Sequence, residues 1–167
     1  LGELLGAGAM GAVYSGVRED GTRAAIKVLL KGDDASLRKR FLREARSMLQ
    51  VDHPNVIRCL GSDQEVEQPW IALEYVEGED VYKVLKREKK LPMERVGPLA
   101  VGMLRGLKAA HEAGVIHRDF KPANVLVGLD GAVKVADFGL ARRDSESLSV
   151  TVSGQLMGTP FYMAPEQ

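Results

Sequence analysis

A chain of 167 residues, 45% hydrophobic and 28% charged, has the material for one ordinary domain or two small lobes and is not a disordered tail. Lys plus Arg and Asp plus Glu stand at 23 each, so no net field draws the chain to nucleic acid or to an acidic membrane, and recognition has to come from local sites. The single cysteine, Cys59, excludes an internal disulfide and fits a reducing compartment; no apolar run reaches the roughly 18 residues of a membrane span and no leader peptide opens the chain, so a cytoplasmic segment is expected, of a parent protein that could be membrane-anchored elsewhere.

Leu1 falls directly on a strand-like pattern and Gln167 follows a Pro-containing turn, which sets the expectation that both ends are cut from a longer protein. Gly6-Ala7-Gly8-Ala9-Met10-Gly11 is a G-x-G-x-x-G, shared by dinucleotide-binding folds and kinases, and by itself also compatible with a flexible turn that binds nothing. In a dinucleotide-binding unit a helix would follow the glycines. Here Ala12 to Val17 alternates as a strand, turns at Asp20-Gly21, and returns as the β-rich run Arg23 to Leu30. The glycines therefore cap a hairpin flap, whose backbone N–H groups can approach phosphates closely because side chains are missing.

Within the returning strand, Lys27 is a cation in an apolar run, on the same face as Ala25 and Leu29 by the period of two. Unpaired, it would be costly. Residues 35 to 50 switch to a helical period, with Phe41, Leu42, Ala45, Met48 and Leu49 as the buried stripe and arginines filling most of the rest. Glu44 borders that stripe, so a Lys27–Glu44 ion pair answers both burials. A structural salt bridge is the plain reading, yet buried pairs are weak devices for stability, and beside a glycine flap the pair is read as holding Lys27 toward a phosphate. Val56 to Leu60 and Trp70 to Val76 are two further strand candidates, and the pattern breaks near Val76 to Glu79, the expected lobe boundary.

From Glu94 to His111 the period is helical again, followed by the loop VIHRDFKPANVLV at 115–127. A second Asp-Gly turn at Asp130-Gly131 joins Val125 to Val127 with Ala132 to Ala136 as a hairpin. Antiparallel pairing then brings Asn124 and Asp137 to the same end of the ribbon. They are either turn caps or oxygen ligands for Mg²⁺, which takes its remaining ligands from water and substrate phosphates. Asp119 lies near the same mouth, where a carboxylate can orient a hydroxyl and accept its proton, while Lys121 can neutralise a transferred group. His117 is read as a packed, hydrogen-bonded core residue rather than a base. Asp144 to Ser153 is polar and hydroxyl-rich and reads as a mobile loop.

With these residues in view the chain resembles the eukaryotic-type serine/threonine protein kinases, most closely their bacterial members. The likeness covers the whole chain in order: Gly6-x-Gly8-x-x-Gly11-x-Val13, Ala25-Ile26-Lys27, Glu44, His53-Pro54-Asn55, His117-Arg118-Asp119, Asn124, Asp137-Phe138-Gly139, Gly158-Thr159-Pro160 and Ala164-Pro165-Glu166. It implies an α+β, two-lobed fold: residues 1–76 as an N-terminal lobe of antiparallel sheet plus one helix, 77–80 as hinge and ribose region, and 81–167 as the first part of a helical C-terminal lobe. It implies transfer of the γ-phosphoryl group of ATP to a Ser or Thr hydroxyl of a protein substrate, with Asp119 as catalytic base, Lys121 near the γ-phosphate, Lys27 held by Glu44 on the α- and β-phosphates, and Asn124 and Asp137 on Mg²⁺.

By the same likeness Gly6, Gly8 and Gly11 cover the phosphates, Glu74 and Val76 offer backbone groups to adenine after Leu73, and Leu5, Val13, Ala25 and Leu126 sandwich the ring, with Asp80 near the ribose. Lys121 in Asp119-Phe120-Lys121-Pro122 and Thr159 before Pro160 look like a Ser/Thr kinase; Phe120 replaces the commoner Leu. Met48, Cys59, His117 and Phe138 occupy the positions of a hydrophobic spine, which makes Cys59 a core residue. Arg118 implies control by phosphate on Thr151 or Ser153, with Ser145, Ser147 and Ser149 as weaker candidates. Neither nucleic acid nor membrane contact is implied. Kinases of this type continue past Ala-Pro-Glu into helices that cover the 94–111 helix, so the segment alone is expected to be poorly stable and weakly active. The alternative is a kinase-like nucleotide-binding or scaffolding module that transfers nothing.

Overall fold

The alternating stretch after the glycines folds back on itself as its pattern requires. In the computed structural model, which describes residues 1–8, 11–30, 32–63, 65–138 and Tyr162, with Arg40 by its backbone alone, β2 (Gly11–Val17) pairs antiparallel with β3 (Arg23–Leu29), Val13 opposite Lys27. The turn between them uses Gly21 at φ 84°, and Asp20 Oδ1 accepts the Thr22 N–H at 2.9 Å. β1 (Leu4–Ala7), β4 (Cys59–Asp63) and β5 (Trp70–Glu74) complete an antiparallel sheet of order β1-β2-β3-β5-β4. Expectations that fall on Ala9, Met10, Gly139, Ser145, Ser147, Ser149, Thr151, Ser153, Gly158-Thr159-Pro160 and Ala164-Pro165-Glu166 lie outside the described residues.

The strand anticipated at Val56 to Leu60 starts three residues later. Val56 and Ile57 are buried instead by the second half of the molecule: Val56 bridges Val135, and the Ile57 N–H donates to the Val135 carbonyl at 2.9 Å. The apolar pair was recruited as packing, and the half-polar segment after it does the strand pairing.

Helix α1 (Ala35–Leu49) starts at Asp34, whose Oδ1 accepts from Ser36 N–H at 2.9 Å and Leu37 N–H at 3.0 Å. Its buried arc holds Phe41, Glu44, Ala45 and Met48. Leu49 departs from expectation at 58% exposure, and Leu42 is only half-buried. At about 100° per residue both fall roughly 80–100° round the helix from Phe41, past the edge of that arc.

The second sheet, of order β6-β7-β8, contains the anticipated hairpin, β7 (Val125–Gly128) with β8 (Val133–Val135). Its third member is β6 (Gly78–Asp80), so residues read as hinge and ribose region form a strand against β7. Helix α2 (Val81–Glu88), not anticipated, follows at once, capped by Asp80. Helix α3 (Met93–Glu112) lies close on this sheet because Gly102 and Gly106 face it: a Cβ at Gly102 would stand 2.6 Å from the Val133 side chain, and one at Gly106 2.4 Å from the Asn55 carbonyl. One core runs from Leu29, Ile71 and Leu73 through Phe41, Ala45 and Met48 to Val135 and Phe138, joining the two sheets; a smaller one, Val81, Leu99, Val125 and Val133, lies under α2 and α3. No helix among the described residues is long and apolar enough to cross a membrane.

Candidate active site

Strand pairing puts Val13, Ala25, Lys27, Ile71 and Leu73 on the inner face of the first sheet. Lys27 is buried there, its Nζ 2.5 Å from Glu44 Oε1 and 2.9 Å from Asp137 Oδ1. The pair with Glu44 follows the expectation; the one with Asp137, carried by the segment after β8, does not. Burial works against the Lys27 charge, but the Asp137 and Glu44 carboxylates outweigh it and hold the pKa above the ordinary lysine value. Burial pushes Glu44 up to about 7 against the pull of Lys27, while for Asp137 the Lys27 ammonium wins over burial and keeps the carboxyl below its ordinary range.

The 115–127 loop is pinned at its ends by the buried Val115 and Val125. Between them Asp119 Oδ2 accepts from Lys121 Nζ at 2.7 Å, and Asn124 Nδ2 donates to the Asp119 carbonyl at 2.9 Å and to Oδ2 at 3.3 Å. The Ala136 N–H donates to the Asn124 carbonyl at 2.9 Å, so Asn124 and Asp137 stand at the same end of the β7–β8 ribbon, as the hairpin argument required. Arg118 and Asp137 hold left-handed backbone, at φ 58° and 60°, a conformation costly for these residue types and met here on both sides of the site.

His117 is a packed core residue, as read from the sequence: its Nε2 lies 2.8 Å from the Ala136 carbonyl, and its ring centroid is 4.7 Å from that of Phe138. Nδ1 is buried with no hydrogen-bond partner among the described residues. Burial lowers the His117 pKa, which keeps the ring neutral and fit for packing. Cys59 packs against the same core, with its thiol pKa raised by burial.

The glycines divide by role. At Gly6 and Gly8 an added Cβ would meet nothing within 4 Å, which fits a flap over open space, and the Gly8 N–H bonds the Gly11 carbonyl across it at 2.9 Å. At Gly11 a Cβ would stand 2.1 Å from the Val28 carbonyl, so the sheet itself demands that glycine. Leu73 is buried, Val13, Ala25, Val76 and Leu126 are half-buried, and Leu5 lies exposed at the rim. Glu74 has its carboxylate occupied by the Arg58 N–H at 2.9 Å and Lys134 Nζ at 2.7 Å, a contact that no sequence pattern announces. Asp80 spends one oxygen on the α2 cap and the other on Lys83 at 3.2 Å.

These donors suit a hard divalent cation that brings its own phosphate ligands. Asp137 is held ionised by Lys27, and with Asn124 Nδ2 engaged by Asp119 its Oδ1 is the donor left for a metal. Among the described residues no group of three or more His, Cys, Asp and Glu is placed to hold a metal ion.

Residues 1–167 match the family model for the protein kinase domain. The chain is 38% identical to a probable serine/threonine-protein kinase of Streptomyces coelicolor, over 100% of the chain and 26% of that protein. It is 39% identical to a serine/threonine-protein kinase of Myxococcus xanthus, over 98% of the chain and 20% of that protein. It is 35% identical to a mitogen-activated protein kinase kinase kinase of Arabidopsis thaliana, over 99% of the chain and 27% of that protein. The chain thus spans about a quarter of the length of these relatives.

Proposed function

The chain belongs to the protein kinase domain family, and on that premise we propose that it transfers the γ-phosphoryl group of Mg-ATP to a Ser or Thr hydroxyl of a protein. The observation that carries this reading is the Lys27 ammonium held between Glu44 and Asp137, with Asp119, Lys121 and Asn124 gathered at the end of the ribbon that presents Asp137. A purely structural pair would need neither that second carboxylate nor the polar loop beside it.

In this reading Lys27, fixed by Glu44, holds the α- and β-phosphates under the Gly6–Gly8 flap, and Gly11 keeps the flap in register. Peptide groups of Glu74 and Val76 meet the adenine edge, Leu5, Val13, Ala25, Leu73 and Leu126 enclose the ring, and Asp80 lies toward the ribose. Asn124 and Asp137 would hold Mg²⁺, which when bound neutralises phosphate charge and orients the terminal phosphate. Asp119 orients the acceptor hydroxyl and takes its proton as the new O–P bond forms and the bond between the γ-phosphorus and the bridging oxygen breaks to release ADP, and Lys121 offsets charge on the group in transit. The relatives named serine/threonine-protein kinases support a hydroxyl of Ser or Thr as the acceptor, and phosphate on Thr151 or Ser153 belongs to the same proposal as a means of control.

The test is transfer of labelled phosphate from Mg-ATP to a Ser/Thr peptide mixture by the full-length protein, beside its Asp119→Asn form. The proposal expects transfer by the first and a loss of about 10²- to 10⁴-fold in the second. Equal transfer by both, or by neither, would refute it in favour of a binding module.

A further inference from the structure

The connection between the two sheets, residues 75–77, is held at its side chains by one arginine. Arg23 opens β3, on the face that also carries Ala25 and Lys27. Its Cζ lies 3.8 Å from the centroid of the Tyr75 ring, and its Nη1 stands 3.6 Å from Glu77 Oε1. Tyr75 separates Glu74 from Val76, the two residues whose peptide groups are given to adenine above. Glu77 sits at a junction: its carbonyl accepts the Leu129 N–H of the second sheet's hairpin at 2.8 Å, while its carboxylate reaches the first sheet through Arg23.

The neighbouring Glu74 is fastened on its own account, by Arg58 and Lys134. Among the contacts described for the side chains of Tyr75 and Glu77, those to Arg23 are the ones that tie the connection to β3. A guanidinium suits this double task, because its plane stacks on the ring while its edge still donates to a carboxylate. A lysine could do the second alone.

Building on the nucleotide-site reading, we propose that Arg23 is a positioning residue for nucleotide binding: stacked on Tyr75 and paired with Glu77, it holds the 75–77 connection against the end of β3, so that the peptide group of Val76 faces the adenine edge together with that of Glu74, which pairing with Ala24 already fixes. Without it the phosphate-binding half of the site, built on Lys27, Glu44 and Asp137, keeps its contacts and Glu74 stays paired with Ala24 of β3, but Val76, beyond the end of that ladder, loses its fixed distance from β3. The loss falls on nucleotide affinity and spares the chemical step.

The experiment uses the full-length protein with a non-hydrolysable Mg-ATP analogue in calorimetry, and the steady-state transfer assay. Arg23→Ala and Tyr75→Ala are each expected to weaken the analogue, and to raise KM for ATP, by about three- to fivefold, with kcat and the KM for the peptide unchanged. Tyr75→Phe keeps the ring and should behave as wild type, Arg23→Lys should fall between, and the double Arg23→Ala/Tyr75→Ala variant should lose no more than either single change. Wild-type affinity in Arg23→Ala, a fall of kcat by the same factor as the affinity, or fully additive losses in the double variant would overturn the proposal while leaving the nucleotide site intact. Absence of analogue binding by the wild-type protein would overturn the site reading and this one with it.

Discussion

Replacing Glu44 by Gln measures the electrostatic demand that the fold places on this site. Glu44 is fully buried; one oxygen is bonded to Lys27, and the other, Oε2, has no hydrogen-bond partner among the described residues. Burial raises its pKa from 4.5 to about 7. A folded carboxyl that holds its proton more tightly than the unfolded one takes up protons on folding between those values, so stability falls as pH rises: the contribution is fully present below about 4.5 and lost above about 7. At roughly 1.4 kcal/mol per pH unit, that rise amounts to about 3 kcal/mol. Lys27, with its pKa raised, contributes stability that is lost only above the ordinary lysine range, and Asp137, with its pKa lowered, stability that is lost only in acid. His117 titrates with the opposite sign inside the window but is common to both proteins. Gln preserves shape and an acceptor for Lys27 while removing the titration. Urea unfolding of both proteins in EDTA at pH 5, 6, 7 and 8 should therefore show the wild type losing about 2–3 kcal/mol more than Glu44→Gln across the range. Parallel stability curves would refute the reasoning, because they would mean that the buried carboxyl titrates alike in the folded and unfolded chain.

Three further outcomes follow from particular contacts. Asp34→Ala removes the acceptor for two N–H groups at the start of α1 and should lower the unfolding free energy by about 1 kcal/mol in the same urea assay. Gly106→Ala should destabilise by roughly 1–3 kcal/mol although alanine is the better helix former, because the new methyl meets a backbone carbonyl at 2.4 Å that cannot swing aside; a gain in stability would show that α3 sits further from Asn55. Asn124→Ala should raise the Mg²⁺ concentration for half-maximal transfer by at least about tenfold, since even outer-sphere partners of a metal carry that much, and an unchanged Mg²⁺ requirement would remove Asn124 from the metal site.

What could be read in advance was local. Both hairpins announce themselves through Asp-Gly turns, which is enough to bring the neighbours Asn124 and Asp137 to one end of a ribbon; the exact register is not given, since a two-residue Asp20-Gly21 turn would set Val13 opposite Val28, whereas it lies opposite Lys27. Helix α2 is not legible because eight residues give too few turns for a period to stand out, and β4 lies later than its apolar pattern suggests because Val56-Ile57 packs on the second sheet. The Lys27–Asp137 contact joins positions 110 residues apart and depends on α1 and Phe138 filling the space between the two sheets, which no pattern within either segment encodes. Lys27 itself nevertheless stands out in the sequence, because an ammonium in an apolar strand cannot remain unpaired. Electrostatic need is thus legible at a single position, whereas the group that meets it is legible only when a turn or a helical period fixes the distance. Arg23 shows the converse: an exposed cation at a strand end creates no such need, so nothing in the sequence distinguishes it, and its hold on Tyr75 and Glu77 emerges only from the way β5 and β6 are joined.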